Sequence, residues 1–143
     1  HILIRLSLYS FESEKYDEAI DYNTQMIESR NIHYGILHWA RGSTRYNAFR
    51  KTKKKSYLFS SIGDLQFALE KGPNLYEVLI DLAKVKMELG QKSEAIKDLD
   101  LILEKFKEGT LIFIKDFNKN LDINTLTEKL DFVRNMDSQM YLH

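Results

Sequence analysis

Lys92-Ser93-Glu94-Ala95-Ile96-Lys97, followed by Leu99, Ile102 and Leu103, is the stretch whose reading decides the fold. Its apolar residues recur three and four apart, which stacks them on one face of a helix and leaves lysine, glutamate and aspartate on the other. A second stretch, Tyr16-Asp17-Glu18-Ala19-Ile20-Asp21 with Met26 and Ile27 behind it, has the same build. Each follows another helical pattern at short distance: Leu79, Leu82 and Met87 before the former, and Leu3, Leu6 and Tyr9 before the latter. Two helices joined by a short connection form an antiparallel hairpin.

Working outward, almost every informative stretch reads with helical period. The best alternating stretch, Leu111 to Phe117, is short. Gly72-Pro73, Gly90 and Gly109 punctuate the pattern, because these residues stop helices. The expected helices are 2–13, 15–29, 33–50, 58–71, 76–89, 92–107, a short piece near 110–117, and 124–137. The last opens on Thr125-Leu126-Thr127-Glu128, a capping box in which hydroxyl and carboxylate satisfy backbone N–H groups reciprocally. The expected fold class is all-α.

The hairpins repeat. Ala19 and Ala95 stand at the same point of two units, 76 residues apart. That is two periods of about 34 residues plus an excess of about eight. A middle unit with extra residues belongs between them, and Ala68-Leu69-Glu70-Lys71-Gly72-Pro73-Asn74 reads as its end.

At these residues the chain resembles the tetratricopeptide repeat family. The unit at about 76–109 matches best, through Leu79, Leu82, Ala83, Gly90, Ala95, Leu99 and Leu103. The unit at about 1–33 supplies Leu3, Leu6, Ser7, Tyr16, Ala19 and Ile27, and the unit at about 35–75 supplies Gly42, Leu65, Ala68 and Pro73. Departures are Ser10 and Lys86 where an aromatic is usual, Asn23 for a large apolar residue, and Met26 and Ile102 for a second alanine. The middle unit carries a basic insertion near 50–56. The resemblance implies helix hairpins stacked as a right-handed solenoid. Residues 110–143, with Leu126, Leu130, Val133 and Met136 on one helix face, are the expected helical cap that a solenoid end requires.

Composition narrows the chemistry. The chain has 143 residues, 43% of them apolar, with 21 basic and 21 acidic side chains, one proline and no cysteine. Without cysteine there is no thiolate chemistry, Cys-ligated zinc or disulfide framework. No apolar run approaches the roughly 20 residues needed to span a bilayer. The first residue, His1, reads as the start of a fragment. No phosphate-binding glycine loop and no HExxH occurs, and the four histidines are scattered. The chain is expected to be no enzyme and to need no metal or cofactor.

The family resemblance implies partner binding in a groove lined by the first helix of each hairpin. Carried over residue by residue, that groove holds Ile4 and Leu8, then Trp39, Ser43 and Tyr46, then Ile80, Lys84 and Met87. Its apolar centre suits a helix or an extended peptide with hydrophobic anchors. The other reading places Trp39 and Tyr46 in the core, and has Ile4 and Leu8 covered by a further repeat or by a homodimer partner. A family subset clamps the carboxylates of chaperone tails with Lys, Asn and Arg. Ile4, Leu8, Ala40, Glu77 and Asp81 occupy those places, so that mode is excluded.

The zero net charge is a cancellation. Residues 29–63 hold eight basic residues and no acid, and the rest hold 13 basic and 21 acidic residues. Arg41, Arg45, Arg50, Lys51, Lys53, Lys54 and Lys55 are therefore candidate contacts for an acidic peptide, a phosphate-bearing partner or nucleic acid. A solvated, mobile loop is the alternative for the 50–55 run. The acidic remainder argues against bulk nucleic-acid binding.

Overall fold

A computed structural model describes residues 2–29 and 35–137. Within them the chain is all-α, running α1 (Ile2–Glu12), α2 (Tyr16–Ser29), α3 (Gly35–Thr52), α4 (Lys55–Lys71), α5 (Tyr76–Glu88), α6 (Lys92–Glu108), a 3-10 turn (Asp116–Asn120) and α7 (Ile123–Arg134). Among the described residues there is no strand, only one isolated parallel bridge between Leu75 and Ile112. The expected helix start at 33–34 and the end of the cap, 138–143, lie outside the described residues. The chain divides into two compact units, His1–Lys71 and Gly72–His143.

In the first unit α1 pairs with α2, α3 with α4, and α2 packs on α3. Small residues set these contacts. The Ser7 hydroxyl lies 3.0 Å from the Ala19 carbonyl and 3.2 Å from Asn23 Oδ1, and all three residues are buried. Asn23 thus gives the buried Ser7 hydroxyl a polar partner, as a buried hydroxyl requires. At Gly42 a Cβ would come within 3.0 Å of Asp64 Cβ and 3.1 Å of Leu65 Cδ2, so α3 and α4 approach closely only because that position has no side chain.

The basic insertion is not a loop. α3 runs to Thr52 and α4 begins at Lys55, leaving two residues between them. Lys53 takes a left-handed φ of 61°, and its N–H donates to the Phe49 carbonyl at 2.7 Å. The run reads as a loop by charge, yet lysine is a good helix former and favours the C-terminal end of a helix dipole. Phe49 and Leu58, on either side of the turn, are both fully buried.

In the second unit α5 and α6 form a hairpin, and α7 packs on both. Gly109 ends α6 in the left-handed conformation at φ 74°, where the Thr110 N–H reaches the Lys105 carbonyl at 3.0 Å. The expected helical piece near 110–117 is instead extended, then a 3-10 turn. Ile112 exchanges backbone bonds with Asn74 and Tyr76 at 2.9 Å each. Buried Glu77 accepts from the N–H groups of Ile114 and Lys115 at 2.9 Å and from Asn118 Nδ2 at 2.8 Å. α7 also starts differently: Asp122, not the Thr125 capping box, is its N-cap, accepting from the Thr125 N–H at 2.7 Å. No helix among the described residues is long and apolar enough to cross a membrane.

Candidate functional site

Of the three arginines expected to read anions, Arg41 and Arg45 are half-buried and face inward, while Arg50 is exposed. Arg41 takes Asp64 with both sides of its guanidinium, Nε to Oδ2 at 3.0 Å and Nη2 to Oδ1 at 2.8 Å. Its Nη1 donates to Thr24 Oγ1 at 3.3 Å, tying α2 to the same point. Arg45 Nη1 adds a bond to Asp64 Oδ2 at 2.7 Å. His38 Nδ1 lies 3.3 Å from Asp64 Oδ1, with its ring against Phe67 at 4.1 Å between centroids. Asp64 is 5% exposed and the arginines 18% and 23%. A buried carboxylate with two guanidiniums is a structural tie between α3 and α4. Asp64 is the first acid after the acid-free stretch that ends at Gly63. Its nearness in sequence to that boundary was the signal available for finding it.

The groove residues divide. Tyr46, Ile80 and Met87 are buried, so they pack in the core of their own units. The Tyr46 hydroxyl also accepts from Arg50 Nη1 at 3.1 Å. Ile80 and Met87 lie on α5, ten of whose 13 residues are buried, the pattern of a helix enclosed nearly all round. Trp39, Ser43 and Lys84 are half-buried, and Ile4 and Leu8 are exposed.

The lysines of the α3–α4 turn do face solvent. Lys51, Lys53, Lys54 and Lys55 are exposed, and none of them pairs with a carboxylate among the described residues. Lys53 Nζ sits 5.7 Å from the centre of the Phe49 ring, a cation–π contact. Beside this turn lies a depression of about 380 Å³, walled by Glu14 and Lys15 of the α1–α2 turn, by Asp17 and Glu18 of the first turn of α2, and by Thr52, Lys54 and Tyr57. Across it the Tyr57 hydroxyl donates to Asp17 Oδ1 at 2.6 Å. That bond to a carboxylate, with burial behind it, pushes the Tyr57 hydroxyl up to about 12. The basic turn therefore has acids at its side, which shortens the surface any polyanion could follow.

The outward face of α1 carries Ile4 and Leu8, expected at a contact surface, and adds Ile2 and Tyr9 to them. Ile2, Ile4, Leu8 and Tyr9 are exposed by 69%, 46%, 61% and 68%. The buried residues of α1 are Ser7 and Ser10. The helix thus buries its serines most deeply, keeps Leu3, Leu6 and Phe11 half-buried, and leaves Ile2, Ile4, Leu8 and Tyr9 to solvent. Spacing placed Tyr9 with Leu3 and Leu6 in the core; it lies on the exposed face. No group of three or more histidines and carboxylates able to hold a metal occurs among the described residues.

Compared with known proteins, the chain matches no family model, no curated protein and no solved structure.

Proposed function

We propose that this chain is a protein-interaction module of tetratricopeptide-like hairpins, a binding element and not a catalyst, whose contact surface is the outward face of α1. The observation that carries this is the exposure of Ile2, Ile4, Leu8 and Tyr9 on α1, whose serines are buried most deeply. Ile4 and Leu8 flank one side of the line through exposed Arg5 and Glu12, and Ile2 and Tyr9 flank the other; exposed apolar groups of this kind mark interaction surfaces. Full burial of one such side chain is worth about 1.5–3 kcal/mol, so a partner that covers several gains useful affinity. Of the groove residues implied by the resemblance, Ile4 and Leu8 retain the role of anchors. Trp39, Ser43 and Lys84, half-buried, border their own packed surfaces.

The test is an Ile4→Lys/Leu8→Lys variant, checked for unchanged helix content by circular dichroism, used as bait in extract of the native cell beside the wild type. Loss of the proteins recovered by the wild type is expected. Recovery of the same proteins by both baits contradicts the proposal.

A second reading is supported by one observation of its own, the exposed lysines of the α3–α4 turn. They suit a short acidic or phosphorylated segment of a partner, held mainly by charge. Lys53→Glu/Lys54→Glu should abolish such binding, and raising salt should weaken it steeply. Binding indifferent to both contradicts this reading.

A further inference from the structure

We infer that the partner of the α1 face is a second copy of this chain, docked through its own α1 in antiparallel orientation about a two-fold axis. The inference rests on the reading of α1 as the contact surface and names its occupant.

α1 carries complementary charges along a single face. Arg5 and Glu12 are both exposed and stand seven residues apart on α1. That is close to two full turns, so they lie in line on the outward face. Neither has an opposite charge paired with it among the described residues. Between them, to either side of that line, come Leu8 and Tyr9. An isologous contact requires that a surface carry its own complement, so that residue i meets j and j meets i. The α1 face meets that requirement in one arrangement. With the two-fold axis between Leu8 and Tyr9, Arg5 of each copy lies against Glu12 of the other, and Leu8 lies against Tyr9 of the other. The two ion pairs bracket an apolar centre.

Alternatives fare worse on the same residues. Parallel pairing in register sets Arg5 on Arg5 and Glu12 on Glu12, which costs affinity at both ends. An uncharged apolar helix covers Leu8 and Tyr9 but desolvates both charges without compensation. Size sets the strength. α1 is about 16 Å long at 1.5 Å per residue, and one helix pair covers less than the ~800 Å² per partner of a standard interface. The association is therefore weak and depends on concentration.

Sedimentation of the full chain over a wide concentration range tests this, with four proteins: wild type, Arg5→Glu, Glu12→Arg and the double reversal. Wild type should form dimers as concentration rises. Each single reversal sets like charges together at both ends and should weaken dimerisation by at least about tenfold. The double reversal should dimerise like the wild type, and an equimolar mixture of the two single variants should form heterodimers that neither forms alone. Helix content measured on each variant guards against unfolding as the cause. A wild type that stays monomeric throughout overturns the inference, and so does a dimer that ignores the reversals. If the chain is monomeric while Ile4→Lys/Leu8→Lys still loses a captured partner, self-pairing is overturned and the interaction-module reading stands.

Discussion

Arg41 holds Asp64 through two parallel bonds of 3.0 and 2.8 Å, which pair the positive charge in the middle of α3 with a buried carboxylate. With Arg45 on the same carboxylate, one acid offsets two part-buried guanidiniums. Removing it leaves both uncompensated. Asp64→Ala should therefore lose about 3 kcal/mol of stability, as expected for breaking a buried pair. Denaturant unfolding measures it. A loss under about 1 kcal/mol would mean that the arginines find water as easily as they found Asp64.

Gly42 lies next to that pair. A methyl group there would press on Asp64 Cβ at 3.0 Å and on Leu65 at 3.1 Å. Asp64 Cβ is fixed to the α4 backbone, and Leu65 approaches through Cγ as well as through its terminal methyl, so α3 and α4 must move apart. Gly42→Ala should cost about 1–3 kcal/mol through overpacking, in spite of alanine's better helix propensity. A Gly42→Ala variant with a raised melting temperature would show that the hairpin has slack at this point.

Glu77 pins the 112–118 segment with three accepted bonds. Glu77→Gln keeps the shape but replaces one acceptor oxygen with a donor, facing N–H groups that cannot accept. Amide exchange at Ile114 and Lys115 should rise by tenfold or more, matching the roughly 1–3 kcal/mol cost of an unmet buried polar group. Unchanged protection at those two amides would indicate that the Leu75–Ile112 bridge alone holds the segment.

Tyr57 links the two turns of the first unit through a proton it must keep. Its folded value is raised from 10.0 to about 12, first by the bond to Asp17. The stabilisation it provides is fully present below pH 10 and is lost as pH rises toward 12. Tyr76 is also pushed up to about 12, there mainly by burial. A spectrophotometric tyrosine titration should thus show late-ionising hydroxyls, with one fewer in Asp17→Asn. An Asp17→Asn variant that titrates like the wild type would remove Asp17 as the cause.

The helices were legible in the sequence because Ala19, Ala68, Ala95 and Leu99 repeat a short-range pattern, and all four are buried. The surfaces were less so. Tyr9 was grouped with Leu3 and Leu6 by spacings of three, but each such step falls about 60° short of a full turn, which carries Tyr9 out of the core. Arg41 and Arg45 looked free because their acid stands one residue beyond the acid-free stretch and one helix away. The extended 111–115 segment depends on Glu77, 37 residues from Ile114, and no local pattern announces such a partner. Close packing at Gly42 could be read from residue size; tertiary charge pairing could not.

Site-specific photo-crosslinking tests the central claim most directly. A photoreactive residue at Leu8, on the outward face of α1, is compared with one at Ser60, an exposed position on α4. Efficient, saturable crosslinks are expected from position 8, to a second copy or to another protein, competed by excess wild type but not by Ile4→Lys/Leu8→Lys. Equal crosslinking from both positions, or competition by the variant as strong as by the wild type, would contradict it.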